Sequence, residues 1–477
     1  MRLTRHPGLW LAALLIGVFL YWDSVGYLVA HRHADSFSYI RAAGPESLEQ
    51  ALSYHRTAGY PLLVDLLQDG SKRTFELRYR ALIVFQAVTY LVATWLLWYA
   101  VRCYAGSGWL AFAFAAPLPF AGVVRTVWNV GPDFLAAALV VTATALLLWI
   151  ADSRPRWWVL APFAAAVFLC YQMRPAGMFL VGFLPLAGVL LSISAGVTSP
   201  RRLARLGTGL AAATLLPFLA FSALRWAVVG HFGVVSFTGS NQAAVAMCFL
   251  DTALTRELPP DVQPLARQVL KRRQQRGWRA MGAYDDPELW FEQYSDNVWG
   301  IGRASARSAV FRERGADAGE PTPPGERPFW VELDARLEEL ARAILIRRPG
   351  LYARWFHAAI GYGLTQLRDV TWIVVPCCLL VLSLPFAAWR VELGRRRPVR
   401  SHALAQAERR RRLMGLGIVS VTYFAVYLSA VSLVSFPFDR YLTSMTLFLP
   451  GLACSLVFEV WRSIAAPEEP ATASLAR

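Results

Sequence analysis

The sequence predicts an all-α polytopic membrane protein, and three observations predict it. Of its 477 residues 56% are hydrophobic and only 17% charged, far from the balance of a soluble domain. The apolar residues come in uninterrupted runs, beginning with Leu9 to Val29 and Ala81 to Val101, and about 20 such residues cross a bilayer as a helix. The runs do not alternate with polar residues, which argues against a membrane β-barrel.

Met1 to His6 carries Arg2 and Arg5 ahead of the first run, as a signal peptide would. The run spans a whole bilayer, however, and no small-residue cleavage site closes it, so an uncleaved first span is expected. Further apolar runs lie at 109–124, 134–151, 157–173, 176–196 and 207–229, then, after a polar stretch from Gly230 to about Arg368, at 370–389, 413–434 and 442–461. Together they predict ten spans. Only Arg174-Pro175 separates 157–173 from 176–196, which leaves open whether both cross fully, and Leu351 to Leu367 is a further candidate for a membrane-embedded helix. The organisation expected is an N-terminal membrane module (1–229) with a functional first outer loop (30–80), an extracytoplasmic region (230–368), and C-terminal membrane helices (369–477) with a basic cytoplasmic loop.

Arginine sets the orientation. With the N-terminus inside, the short loops containing Arg102, Arg154 and Arg156, and Arg201, Arg202 and Arg205 all face the cytoplasm, as does the last loop with Arg395 to Arg397 and Arg409 to Arg412. The net charge of +16 therefore reads as a topology determinant touching anionic membrane lipid, and no nucleic-acid partner is expected. Five of six cysteines, Cys103, Cys170, Cys377, Cys378 and Cys454, lie in or beside apolar runs and Cys248 stands alone, which argues against a disulfide framework.

The opposite face then carries the Asp35 loop, Arg125 to Asp133, the turn at Arg174-Pro175, the region 230–368, and Ser435 to Arg440. Within 230–368, Pro328 to Ile346 has helical periodicity and Ala316 to Pro328 reads as loop; the region looks too broken to be an independent catalytic domain. Asp35, Asp133 and Arg440 sit at the outer ends of spans, with His55, Arg56, Arg125 and Arg174 at similar depth. Charge at a membrane boundary is costly unless solvated or paired, so a set at one depth marks a functional site. Singly, each has a plainer reading: Asp35 and Asp133 as helix N-caps, Arg125 and Arg440 as interfacial anchors. In the first outer loop, Pro45 with Glu46 and Glu49 predicts a short helix, and Gly59-Tyr60-Pro61 a break before another apolar turn. A carboxylate beside cations facing lipid headgroups suits transfer from a lipid phosphate, with the acid taking a proton and fixed arginines stabilising the departing phosphate.

Six short patterns carry a resemblance: Asp-Ser-x-x-Tyr at Asp35 to Tyr39, Arg-x-x-Gly-Tyr-Pro-Leu-Leu at Arg56 to Leu63, Pro132-Asp133, Arg-Pro-x-Gly at Arg174 to Gly177, Pro-x-x-Tyr at Pro349 to Tyr352, and Asp-Arg-Tyr at Asp439 to Tyr441. In this order, at outward span ends, they resemble the GT-C superfamily of integral-membrane glycosyltransferases, which includes protein O-mannosyltransferases and lipid A aminoarabinose transferases. The resemblance implies an inverting transferase that takes sugar from a polyprenyl-phosphate donor to a glycan, lipid or protein acceptor outside the plasma membrane (in a bacterium, the inner membrane). It implies Asp35 as catalytic base, Asp133 as second acid, and Arg174 and Arg440 near the donor phosphate; beside these, Tyr39, His55, Arg56, Arg125 and Tyr441 are expected as further donor-phosphate or substrate contacts. Asp35-Ser36 replaces the paired acids of the mannosyltransferases, and Thr57-Ala58 the usual Pro-Pro before Gly-Tyr-Pro, so the acceptor subfamily stays open. Some members bind a divalent metal beside the acid; His31, His33 and Asp35 alternate suitably, but the histidines read as polar rim and no metal or other cofactor is expected. Gly239-Ser240-Asn241 is a further candidate contact. The alternatives are a transporter or flippase, disfavoured because the acids cluster at one face and the halves look dissimilar, and a polymerase or ligase of lipid-linked glycans on another fold.

Overall fold

A computed structural model describes residues 6–33, 35–72, 74–152, 157–281, 286–314, 328–367 and 402–465. The predicted span 370–389, the loop from Ala316 and the cysteines at 377 and 378 lie outside these. The described residues are all-α, and seven helical segments among them, counting Gly108–Thr126 as one, are long and apolar enough to cross a membrane, which makes this a membrane-embedded protein.

Two helices form the centre. Arg80–Ala105 packs along Asp133–Asp152, and each buries most of its length, the second largely through alanine, valine and leucine. Gly106 ends the first in the left-handed region (φ 65°), where a side chain would be strained, and its N–H closes the last turn on the Arg102 carbonyl. Trp157–Met173 leans on Asp133–Asp152; Phe179–Ser194 packs against both Pro200–Val229 and His402–Val434; Gly108–Ala115 fits between the centre and Leu449–Ala465. Pro7–Ser24 and Pro200–Val229 bury little inside the protein, as lipid-facing helices do.

Several predicted spans differ in detail. The run 109–124 is helical only over Gly108–Ala115, after which Pro117 and Pro119 deny the α-ladder its N–H donors and the chain continues in short 3₁₀ turns to Thr126. The run 442–461 is two helices, Asp439–Met445 and Leu449–Ala465. Runs 157–173 and 176–196 are separate helices, the first ending at Met173 and the second running from 179 to 194 after a 3₁₀ turn. Helix Phe329–Arg347 forms as the periodicity predicts, and residues 349–367 are helical.

The region after Gly230 is better built than its sequence suggests. Its helices enclose a second hydrophobic core in which Met247, Phe249, Leu340 and Trp355 are fully buried, and Phe436 from the membrane helices stacks into it on Phe291 at 3.6 Å. Cys248 is buried there, not alone among polar groups. Tyr294 Oη donates to Ser435 Oγ at 2.8 Å, joining this core to the membrane helices at the level of the site.

Candidate functional site

The first loop folds onto the ends of three membrane helices. His31 pairs with the next loop through its backbone: its N–H donates to the Trp128 carbonyl at 2.8 Å, and its carbonyl accepts from Val130 N–H at 3.2 Å. Ser36 Oγ, buried, donates to the Val130 carbonyl at 2.7 Å. These bonds fix the start of helix Ser36–Arg41, directly after Asp35. Asp35 occupies the N-cap position but is itself in the α-region, and its side chain accepts nothing from the helix N–H groups. The capping role open to it from sequence is therefore not used; its carboxylate points away, to Arg56 Nη2 at 2.7 Å and to Arg440.

Arg56 is aimed by the helix just beyond it in the chain. The Gly59-Tyr60-Pro61 segment does not break the chain but opens helix Gly59–Leu67, with Pro in its first turn where no intrahelical N–H is needed. Tyr60 is fully buried and donates to Gln86 Oε1 at 3.1 Å. The predicted helix at Pro45 begins instead at Leu48, where the Ser47 side chain accepts from Gln50 N–H. Gly59 sits against Gln172 so closely that a Cβ would lie 2.9 Å from that residue's Cβ and carbonyl oxygen. Gly59→Ala is thus expected to force this helix off Trp157–Met173, costing about 1–3 kcal/mol by overpacking. A lowered unfolding midpoint in detergent measures it, and an unchanged midpoint contradicts it.

Arg56 Nε donates to Ser38 Oγ at 2.9 Å, and its guanidinium lies 4.7 Å from the Tyr39 ring centre. Arg174, just past Met173, pairs with Asp133 at the head of its helix and lies 4.5 Å over the Tyr441 ring. Arg440 opens helix Asp439–Met445 and closes the set on Asp35, 405 residues away in sequence. Three guanidinium groups thus face two carboxylates, and the cluster carries one surplus positive charge.

The electrostatics come from burial and these pairings. Burial alone pushes the Asp35 carboxyl up, but Arg56 and Arg440 outweigh it and hold the group at about 2. Burial pulls His55 down, and Arg303 and Arg56 add to this, so the imidazole falls to about 2 and is neutral at physiological pH. For Tyr441, burial is opposed by Arg440 and Arg174, and its phenol is held below the ordinary value.

These groups wall a cavity of about 410 Å³, within the range of small-molecule sites. One wall is apolar, from Met178 and Phe179 on one membrane helix and Ala430, Val431 and Val434 on another. The other comes from the region after Gly230: Phe237, Asn241 and Trp299. Of the residues predicted from sequence, Asp35, Tyr39, His55, Arg56, Asp133, Arg174, Arg440 and Tyr441 all line it. Arg125 does not: it is exposed on the 3₁₀ turn Gly122–Thr126, at the right depth but facing outward. His31 and His33 are exposed at the rim, and His33 Nδ1 accepts from Asp35 N–H at 3.3 Å. Among the described residues no three His, Cys, Asp or Glu side chains come together as metal ligands.

Of Gly239-Ser240-Asn241, only Asn241 reaches the cavity; the Gly239 and Ser240 N–H groups bond the Asp334 carboxylate at 3.2 and 2.8 Å, anchoring helix Thr238–Met247. Phe237, Trp299, Arg303 and Trp330 carry no sequence motif. Trp299 and Arg303 lie at and just after a π-helical turn, Asn297–Gly302, which turns them toward Phe237. The chain matches no family model, no curated protein and no solved structure.

Proposed function

We propose that this cavity transfers a sugar from a polyprenyl-phosphate donor to a glycan or lipid acceptor, with Asp35 as general base. The observation that carries the reading is one carboxylate shared by two arginines in a cavity that is also lined by apolar residues of two membrane helices. The apolar wall of Phe179, Val431 and Val434 suits a prenyl chain entering between helices, and the surplus positive charge beside it suits the phosphate. The acceptor hydroxyl attacks the anomeric carbon, its proton passes to the Asp35 carboxylate, and the carbon–oxygen bond to phosphate breaks with its electron pair leaving on the phosphate. Arg440 and Arg174 stabilise that charge. One displacement inverts the anomeric centre. Asp133 holds Arg174 in place, so it acts as a positioning residue.

A carboxyl held at about 2 is a weak base. An anionic phosphate competes with Asp35 for the Arg440 guanidinium, so donor binding itself loosens the hold and raises the basicity of Asp35. Arginine placement in the connecting loops supports ten spans with the site on the extracytoplasmic side of the plasma membrane. The six short patterns keep the GT-C superfamily as the family proposed.

Purified protein in proteoliposomes, given polyprenyl-phosphate sugars and an envelope glycolipid extract, is expected to release free polyprenyl phosphate as sugar appears on the extract. Movement of intact lipid-linked sugar across the bilayer with no phosphate released would make the protein a flippase instead.

A further inference from the structure

We infer that the recess formed by His55 on the cavity wall and by Arg303, packed against the wall residues Phe237 and Trp299, is a subsite for the anionic group of an acidic saccharide. Arg56, Arg174 and Arg440 each have a carboxylate partner, whereas Arg303 makes no hydrogen bond or ion pair among the described residues. Its Nη2 is buried and unpartnered, and the guanidinium lies against three rings, 4.8 Å from Trp330, 5.3 Å from Phe237 and 5.7 Å from Trp299. His55 lines the cavity, is 6% exposed, and its Nδ1 has no hydrogen-bond partner among the described residues. Its ring packs 4.5 Å from Trp330 and 6.2 Å from Phe237.

Buried polar groups are nearly always satisfied, so two orphans in one aromatic recess point to a ligand that satisfies both. A guanidinium takes a carboxylate or phosphate through two parallel N–H bonds. A neutral imidazole offers one donor and one acceptor, the complement of a sugar hydroxyl. Trp299 lines the cavity and is 49% exposed, so it offers aromatic surface to a sugar ring. The ligand that fits is a sugar ring bearing one anionic substituent. It is not the donor's phosphate, which has Arg174 and Arg440 beside the apolar wall; this recess is reached from Asp35 through Arg56, 5.8 Å from the Phe237 ring, and lies among residues of the region after Gly230. The designation of this ligand as the acceptor rests on the transfer reading, but the subsite does not.

Equilibrium binding of radiolabelled glucuronic acid, glucose 6-phosphate and glucose to the purified full chain tests it without any transfer step. At least one acidic sugar is expected to bind tenfold or more tightly than glucose, the better of the two naming carboxylate or phosphate. Arg303→Gln is expected to abolish that preference while polyprenyl phosphate still binds, and Arg440→Gln to keep it. His55→Gln, a second variant in case Arg303→Gln does not fold, is expected to weaken binding of the acidic sugar at least threefold. Equal or absent binding of all three sugars by the wild type overturns the subsite. So does a preference for acid that survives Arg303→Gln, or, where that variant does not fold, one that survives His55→Gln undiminished.

Discussion

Asp35→Asn is expected to lower the rate of sugar transfer by about 10²–10⁴, the usual contribution of a general base, while donor binding is kept or tightened. The direction of the binding effect comes from the charge count. Removing the carboxylate leaves Arg56 and Arg440 without their shared counter-charge, and the cavity becomes more positive toward a phosphate. The fold has little reason to fail, because the Asp35 side chain does not cap its helix and an amide can still accept from Arg56 Nη2. A split in which turnover collapses and donor affinity does not is therefore the signature. A parallel loss of both would make Asp35 a structural anchor for the two arginines, and unchanged turnover would remove it from the chemistry altogether.

Arg440→Gln is expected to act in the opposite sense, chiefly on donor affinity. Truncating one member of a buried, hydrogen-bonded charge pair typically costs 2–5 kcal/mol, so kcat/KM should fall by about 30-fold to several thousand-fold. Most of this is expected in KM, since a guanidinium that holds the proposed donor's phosphate would meet it in the bound donor as well as in the transition state. Asp35 retains Arg56, and with one cation fewer its carboxyl becomes more basic, which partly offsets the loss in kcat. Arg440→Lys keeps the charge but not the fork of donors, and should recover part of the affinity. Steady-state kinetics with varied donor separate these outcomes; a fall in kcat alone, at constant KM, would place Arg440 outside the phosphate site. Arg174→Gln is a poorer probe, because it strands Asp133 without its buried partner.

Hydropathy sets the depth of a residue in the bilayer but leaves its angular position around the bundle open, and this decides which parts of the site the sequence reveals. Asp35, Asp133, Arg174 and Arg440 stand at one depth because each sits at the end of a helix, and that much comes from run lengths alone. Which acid meets which base depends on helix rotation and packing: Asp35 reaches Arg440 rather than Arg174, across 405 residues. Arg125 has the right depth and the wrong azimuth. The cap position of Asp35 is readable from sequence, but not that its carboxylate turns from the helix N–H groups to Arg56 and Arg440. The wall of Phe237 and Trp299, and the Trp330 ring packed on His55, are hidden for another reason. These aromatics are set by a second core and a π-helical turn, neither of which has a composition signal, and polar helices between them mask the core's apolar faces.

The proposed activity is transfer of one sugar, with Asp35 as the base. Mass spectrometry of the glycolipids and envelope glycans of a strain lacking the gene, complemented in turn with wild-type protein and with Asp35→Asn, tests it most directly. One sugar missing from one class of glycan, restored by the wild type and not by Asp35→Asn, is the result expected. An unchanged glycan profile in the deletion strain, or full restoration by Asp35→Asn, would contradict it.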